Sequence, residues 1–97
     1  MLKVDFKLLD CRAEVKCFAV LMEHVLRRHD DAKGESWRKM SLDDLAVRVQ
    51  EEVQELLFAI ETGSPYETMV TESVDVANFC MFITDIAAKA HDAQKES

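Results

Sequence analysis

Glu51, Glu52 and Glu55 stand in the stretch EEVQE, and Glu72 and Asp75 in the stretch ESVDVAN. Carboxylates three residues apart on a helix are neighbours, with Cβ atoms ~5–6 Å apart. Glu72 and Asp75 fall among Val76, Phe79, Ile83 and Ile86, on what is otherwise an apolar face. At ~100° per residue, Glu52 lies roughly 60° from the centre of an apolar stripe near Val49, and Glu55 lies one turn along. Glu51 points to nearly the opposite side and reads as a solvated surface charge. If the two stretches are neighbouring helices, the Glu52/Glu55 pair faces the Glu72/Asp75 pair. Four such carboxylates, with no lysine or arginine on the same stripes, repel one another. Each buried unpaired charge is costly, or takes up a proton instead. A divalent cation removes the conflict, and an all-oxygen donor set favours Mg²⁺, Mn²⁺ or Ca²⁺ over zinc. An isolated ExxE pair is usually solvated, and Arg48 could pair with Glu52 one turn away. The joint occurrence of two pairs, both leaning toward apolar faces, is what points to a metal site with room for more than one ion.

Helices must position these groups, and the rest of the chain supplies them. Two glycines and one proline in 97 residues are too few for the turns of an all-β fold. From about Cys11 to Arg28, Val15, Phe18, Met22, Val25 and then His29 recur at three- and four-residue steps, predicting a first amphipathic helix. HDDAKGESWRKM is polar, contains a glycine, and predicts a loop that carries Lys33 and Trp37. Ser41 followed by Asp44 resembles an N-cap. A second helix then places Leu42, Leu45, Val49, Val53, Leu56 and Ile60 on one stripe and stops at Gly63. Ser64-Pro65-Tyr66-Glu67 reads as a capping box with proline in the first helical position. The third helix is expected to run to about Lys89, with HDAQKES as a frayed tail. Residues 1–10 fit either extended chain or a first helical turn.

The third helix is apolar on two sides, Val70, Val74, Ala77 and Met81 on one and Val76, Phe79, Ile83 and Ile86 on the other. In so small a chain, this predicts that a second subunit covers one of them. The expectation is therefore a single all-α domain over 1–97, with its core at about 11–90. Three main helices form a bundle completed by dimerisation.

Composition narrows the partners. The net charge is −7, which argues against a nucleic-acid groove, since that needs a basic face. An anionic ligand would need a cation to mediate its capture. No apolar run approaches the roughly 20 residues that span a bilayer. The three cysteines form no CxxC or Cys/His cluster, and Lys3, Asp5 and Lys7 interrupt the N-terminal apolar residues. A reducing, cytoplasmic setting with buried thiols is expected. His24, His29 and His91 show no metal spacing and read as surface or boundary residues.

EEVQE, followed after a helical hairpin by ESVDVANF, resembles the EExxE…ExxD signature of the MazG-like, all-α nucleoside triphosphate pyrophosphohydrolases. Phe18, Met22-Glu23, Leu26, Lys33 and Trp37 resemble the F…ME..L…K..W pattern of small phage- and integron-type members. The resemblance thus spans roughly residues 15–86. It implies a helical bundle completed by dimerisation, sometimes as a dimer of dimers. It also implies Mg²⁺-dependent cleavage (with Mn²⁺ as a substitute) between the α and β phosphates of a nucleotide, giving a monophosphate and pyrophosphate. The metal ligands it implies are Glu52, Glu55, Glu72 and Asp75, with Glu52 and Glu55 as the catalytic candidates for positioning the attacking water. Lys33 and Asn78 would meet phosphate or sugar, Trp37 would pack on the base, and Phe18 and Met22 would form the pocket floor.

The residues by themselves leave plainer readings open. Trp37 could plug the loop onto the bundle, Phe18 and Met22 could be core, Asn78 could bond a neighbouring helix, and Lys33 could be solvated. The first helix offers few basic residues facing inward. A non-catalytic helical oligomer, structural or regulatory, with a vestigial or merely ion-binding acidic cluster, is the alternative. A decayed homologue would be expected to lose at least one acidic position, whereas here all four are filled.

Overall fold

The computed structural model describes residues 3, 4 and 10–96, so the reading of residues 1–10 lies almost wholly outside the described residues. The chain forms α1 (Ala13–Lys33), a short 3₁₀ turn (Ser36–Lys39), α2 (Leu42–Glu61) and α3 (Tyr66–Glu96), with no strand among the described residues. The expected all-α, three-helix fold is observed.

Local chemistry explains most boundaries. Ser41 caps α2, its Oγ accepting the Asp44 N–H at 3.1 Å. At the other end the Ser64 N–H reaches the Ala59 carbonyl at 2.9 Å and the Gly63 N–H reaches Ile60 at 3.2 Å. This is a Schellman closure, and it needs the left-handed φ of 64° that Gly63 adopts without a Cβ penalty. Pro65 is not the first helical residue as expected. It stands just outside α3 and its carbonyl accepts the N–H groups of Thr68 and Met69. The Ser64 hydroxyl lies 3.2 Å from that of Thr62.

Two helices outrun their expected ends. α1 continues past Arg28 to Lys33, because HDDAK contains no breaker before Gly34, where φ is 62°. Lys33 therefore sits in a helical turn rather than a loop. α3 continues past Lys89 to Glu96, since alanine, glutamine, lysine and glutamate in that segment favour helix and neither glycine nor proline interrupts it.

α3 is the element against which α2, α1 and the 3₁₀ turn all pack. Leu45 and Ala59 of α2, Val25 of α1, and Val74 and Phe82 of α3 form the buried apolar core. On the two apolar sides of α3, Val74 is buried while Val70, Val76, Ala77, Phe79, Met81, Ile83 and Ile86 are half-buried. Open apolar surface lies elsewhere. The α2 stripe splits, with Leu45 turned inward while Leu42, Val53 and Ile60 remain exposed, as does Leu57 outside it, and Val15, Phe18 and Leu21 are exposed on α1. The thiols also differ from expectation: Cys17 and Cys80 are exposed rather than buried, and all three cysteines are free. No helix among the described residues is long and apolar enough to cross a membrane.

Leu45 is fully buried at 0% exposure whereas Val20 is 63% exposed. Leu45→Ala is expected to lower the unfolding free energy by ~2–5 kcal/mol. Val20→Ala should stay within ~0.5 kcal/mol of the parent. Urea titrations followed by circular dichroism would compare the two.

Candidate metal and ligand site

The Gly63-Ser64-Pro65 turn folds α3 back along α2, and this antiparallel register decides which side chains meet. Arg48 stands at the level of Phe79, its guanidinium 5.2 Å from the ring centroid. One turn on, Glu52 meets the charge of Asp75, and a turn beyond that Glu55 meets Glu72. Ala59 and Thr68 follow, lining one groove. A three-residue acidic spacing on each helix therefore lands on its counterpart across the seam.

Glu52, Glu55 and Glu72 each bring a carboxylate oxygen within 4.8 Å of the others. Glu52 is buried at 6% exposure, Glu72 is half-buried, and Glu55 is exposed. Asp75 is half-buried and stands outside this close triplet, although its charge acts on both Glu52 and Glu72. Glu51 is exposed and bonded to Arg48. Arg48 also donates through Nη2 to Glu52 Oε1 at 2.9 Å. The Arg48–Glu52 pairing that the four-residue spacing allowed is therefore present.

Electrostatics show how strained this grouping is. Burial, followed by the charges of Glu55 and Asp75, pushes the Glu52 carboxyl above its ordinary range, and Arg48 only partly opposes this. Burial and the same two neighbours raise Glu72. Asp75 is raised mainly by burial, with Glu55 adding to it while His29, Arg28 and Arg48 pull the other way. The Oε2 atom of Glu72 is buried with no hydrogen-bond partner among the described residues. An orphaned acceptor in a repelling triplet of oxygens is a donor set that fits a hard divalent cation.

A cavity of ≈ 200 Å³ adjoins the acidic group on the Asp75 side. His29 and Lys33 of α1, Trp37 of the 3₁₀ turn, Arg48 of α2, and Asp75, Asn78, Phe79 and Phe82 of α3 line it. On the far side Glu55 and Glu72 line an open groove of ≈ 540 Å³ with Phe58 and Thr68. Trp37 stacks on Phe82 at 4.3 Å between centroids and 13° between planes. The Arg38 guanidinium lies 4.5 Å from the indole centroid. Trp37 is thus held by both Phe82 and Arg38 while it lines the cavity.

The other expected site residues divide. Lys33 and Asn78 reach the cavity. Asn78 is 3% exposed, and its Nδ2 donates to the Met22 carbonyl at 3.4 Å while its Oδ1 has no partner among the described residues. Met22 thus touches the site through its backbone. Phe18, 37% exposed, does not line this cavity. It precedes Leu26 by two turns of α1, ~12 Å along the axis. His29 and Arg48 are cavity residues that sequence reasoning assigned elsewhere. The signal was present in the four-residue step Val25–His29–Lys33, which becomes one helical face once α1 is known to continue.

Among known protein families, curated proteins and solved structures, none matches the chain significantly.

Glu52, Glu72 and Asp75 have folded-state pKa values above their unfolded ones, so between the two the native chain binds more protons. Without divalent cation, stability should therefore fall as pH rises from the ordinary carboxylate range through the raised native values. Saturating Mg²⁺ should flatten that decline. Glu72→Gln should raise the cation-free melting temperature by a few degrees and abolish the increase that Mg²⁺ produces, as followed by thermal melts across pH.

Proposed function

We propose that the protein is a Mg²⁺-dependent nucleotide pyrophosphohydrolase of the MazG-like kind. It would cleave the bond between the α and β phosphates of (deoxy)nucleoside triphosphates to give the monophosphate and pyrophosphate. The observation that carries this reading is the meeting of Glu52, Glu55 and Glu72 beside Asp75, which itself lines a cavity of aromatic and basic side chains. The order of the acidic residues along two antiparallel helices is also the order of the motif that the sequence resembles.

The residues divide the work by chemistry. Glu52, Glu55, Glu72 and Asp75 would hold the cation, which when bound neutralises phosphate charge and activates water. Glu52 and Glu55 would orient the attacking water from α2. Lys33 and Arg48 line the cavity with His29 and offer positive charge to phosphate oxygens that a −7 chain would otherwise repel. Phe79, Phe82 and Trp37 would give an apolar wall for a base, and the Oδ1 of Asn78, without a partner among the described residues, would accept from a sugar hydroxyl or a base N–H. At ≈ 200 Å³ the cavity is smaller than the ~300–1,000 Å³ of typical ligand pockets. It suits a base-sized moiety, with the phosphates outside it toward the carboxylates.

The exposed stripe Leu42, Val53, Leu57 and Ile60 supports a homodimer built on α2, with a dimer of dimers as the larger assembly. Replacing Leu57 and Ile60 together by lysine should convert the dimer to monomer in light scattering.

Incubation with a panel of NTPs and dNTPs should release monophosphate and pyrophosphate with Mg²⁺ and not without it. Asp75→Asn should lower turnover ~10²-fold or more, since transition-state charge stabilisation worth several kcal/mol is at stake. Metal binding with no turnover on any nucleotide would leave the non-catalytic, ion-binding oligomer as the reading.

A further inference from the structure

Arg48 occupies a position that neither the metal set nor the ligand cavity accounts for alone. Its Nη2 bonds Glu52 Oε1 at 2.9 Å, its Nη1 bonds Glu51, and its guanidinium rests 5.2 Å from the Phe79 ring centroid. Among the described residues it is the one basic side chain in an ion pair with any member of the Glu52–Glu55–Glu72 triplet. The same side chain lines the cavity beside Lys33 and is 41% exposed, so its long stem is free to swing while the Glu52 carboxylate, 8% exposed, is not.

We propose that Arg48 is an exchangeable counter-cation. It neutralises Glu52 while the site is metal-free and is displaced when a divalent cation arrives. It then turns into the cavity as a guanidinium contact for an anionic ligand group such as a phosphate. This inference rests on the metal reading above. A guanidinium and a divalent cation drawn to the same buried carboxylate repel each other at short range. Release of Arg48 gives up its bond to Glu52, which the incoming cation replaces, and its exposed side chain already borders the cavity. A planar guanidinium then suits bidentate contact with phosphate oxygens. Metal loading and anion capture are thereby positively coupled, each favouring the other, because the cation frees the arginine that the anion needs.

The test is calorimetric titration of MgCl₂ into the full chain without nucleotide. Arg48→Met should bind Mg²⁺ about 5-fold tighter or more than the parent, the lower end of usual coupling between sites. Its metal-free melting temperature should fall. Arg48→Gln keeps a hydrogen bond to Glu52 without the charge and carries the test if the methionine variant does not fold. In the parent, the Arg48 Nε resonance should move on Mg²⁺ saturation. Mg²⁺ should also tighten the binding of inorganic phosphate more in the parent than in either variant. Unchanged or weaker Mg²⁺ affinity in both variants, or an unmoved Arg48 resonance, would overturn the counter-cation role while leaving the metal site standing. A parent chain that binds no Mg²⁺ would remove the metal reading and this inference together.

Discussion

The structure turns on repulsion held in place by packing. Glu52, Glu55 and Glu72 sit with oxygens within 4.8 Å of one another across a seam that leaves Glu52 nearly dry. Such a group would separate if the backbone let it. It does not separate, because the Schellman closure at Gly63 fixes where α3 starts. Leu45 and Ala59, buried on α2 before and after the acidic rungs, and Val74, buried among them on α3, hold the seam closed. Apolar burial supplies the stabilisation, and the carboxylates draw on it. Natural chains carry such local conflict at functional sites and offset it elsewhere.

The same constraint organises the rest of the molecule. Because α3 is the common support, α1 and α2 need not touch each other extensively, and the space beside them near Asp75 becomes the cavity. α1 matters for what it carries there: His29 and Lys33, one turn apart, and the Met22 carbonyl that anchors Asn78. The aromatic chain of Trp37 on Phe82 and Phe82 against Phe79 extends from the 3₁₀ turn toward Arg48 and the carboxylates. Charge at one end and aromatic surface at the other give the site a polarity that suits a ligand with an anionic tail and a flat body. Arg38, tied to Glu35 and Asp85, rests over the Trp37 ring and helps to hold it.

Much of this arrangement was legible in the sequence, and for physical reasons. Ser41 and Gly63 are strong local signals, so the bounds of α2 follow from them. The turn at Gly63 implies antiparallel neighbours, and three-residue acidic spacing on both does the rest for Glu52, Glu55 and Glu72. What escaped depended on weaker terms. No breaker ends α1 at Arg28, so stopping it there hid the face shared by His29 and Lys33. The rotation of α2 about its axis is set by packing on α3, so the sequence stripe centred on Val49 could not tell Leu45, which is buried, from Leu42 and Ile60, which are not. The pairing of Trp37 with both Phe82 and Arg38 is a tertiary outcome that a lone tryptophan in a polar segment does not announce.

If the carboxylates of α2 and α3 converge to hold a divalent cation, a crystal of the chain grown with Mn²⁺ should show it by anomalous diffraction. An anomalous peak is expected within coordinating distance of Glu52, Glu55 and Glu72, with Asp75 at its edge and the Arg48 guanidinium withdrawn from Glu52. A map with no peak there, in which Arg48 still bonds Glu52 and the glutamates share protons among themselves, would contradict it.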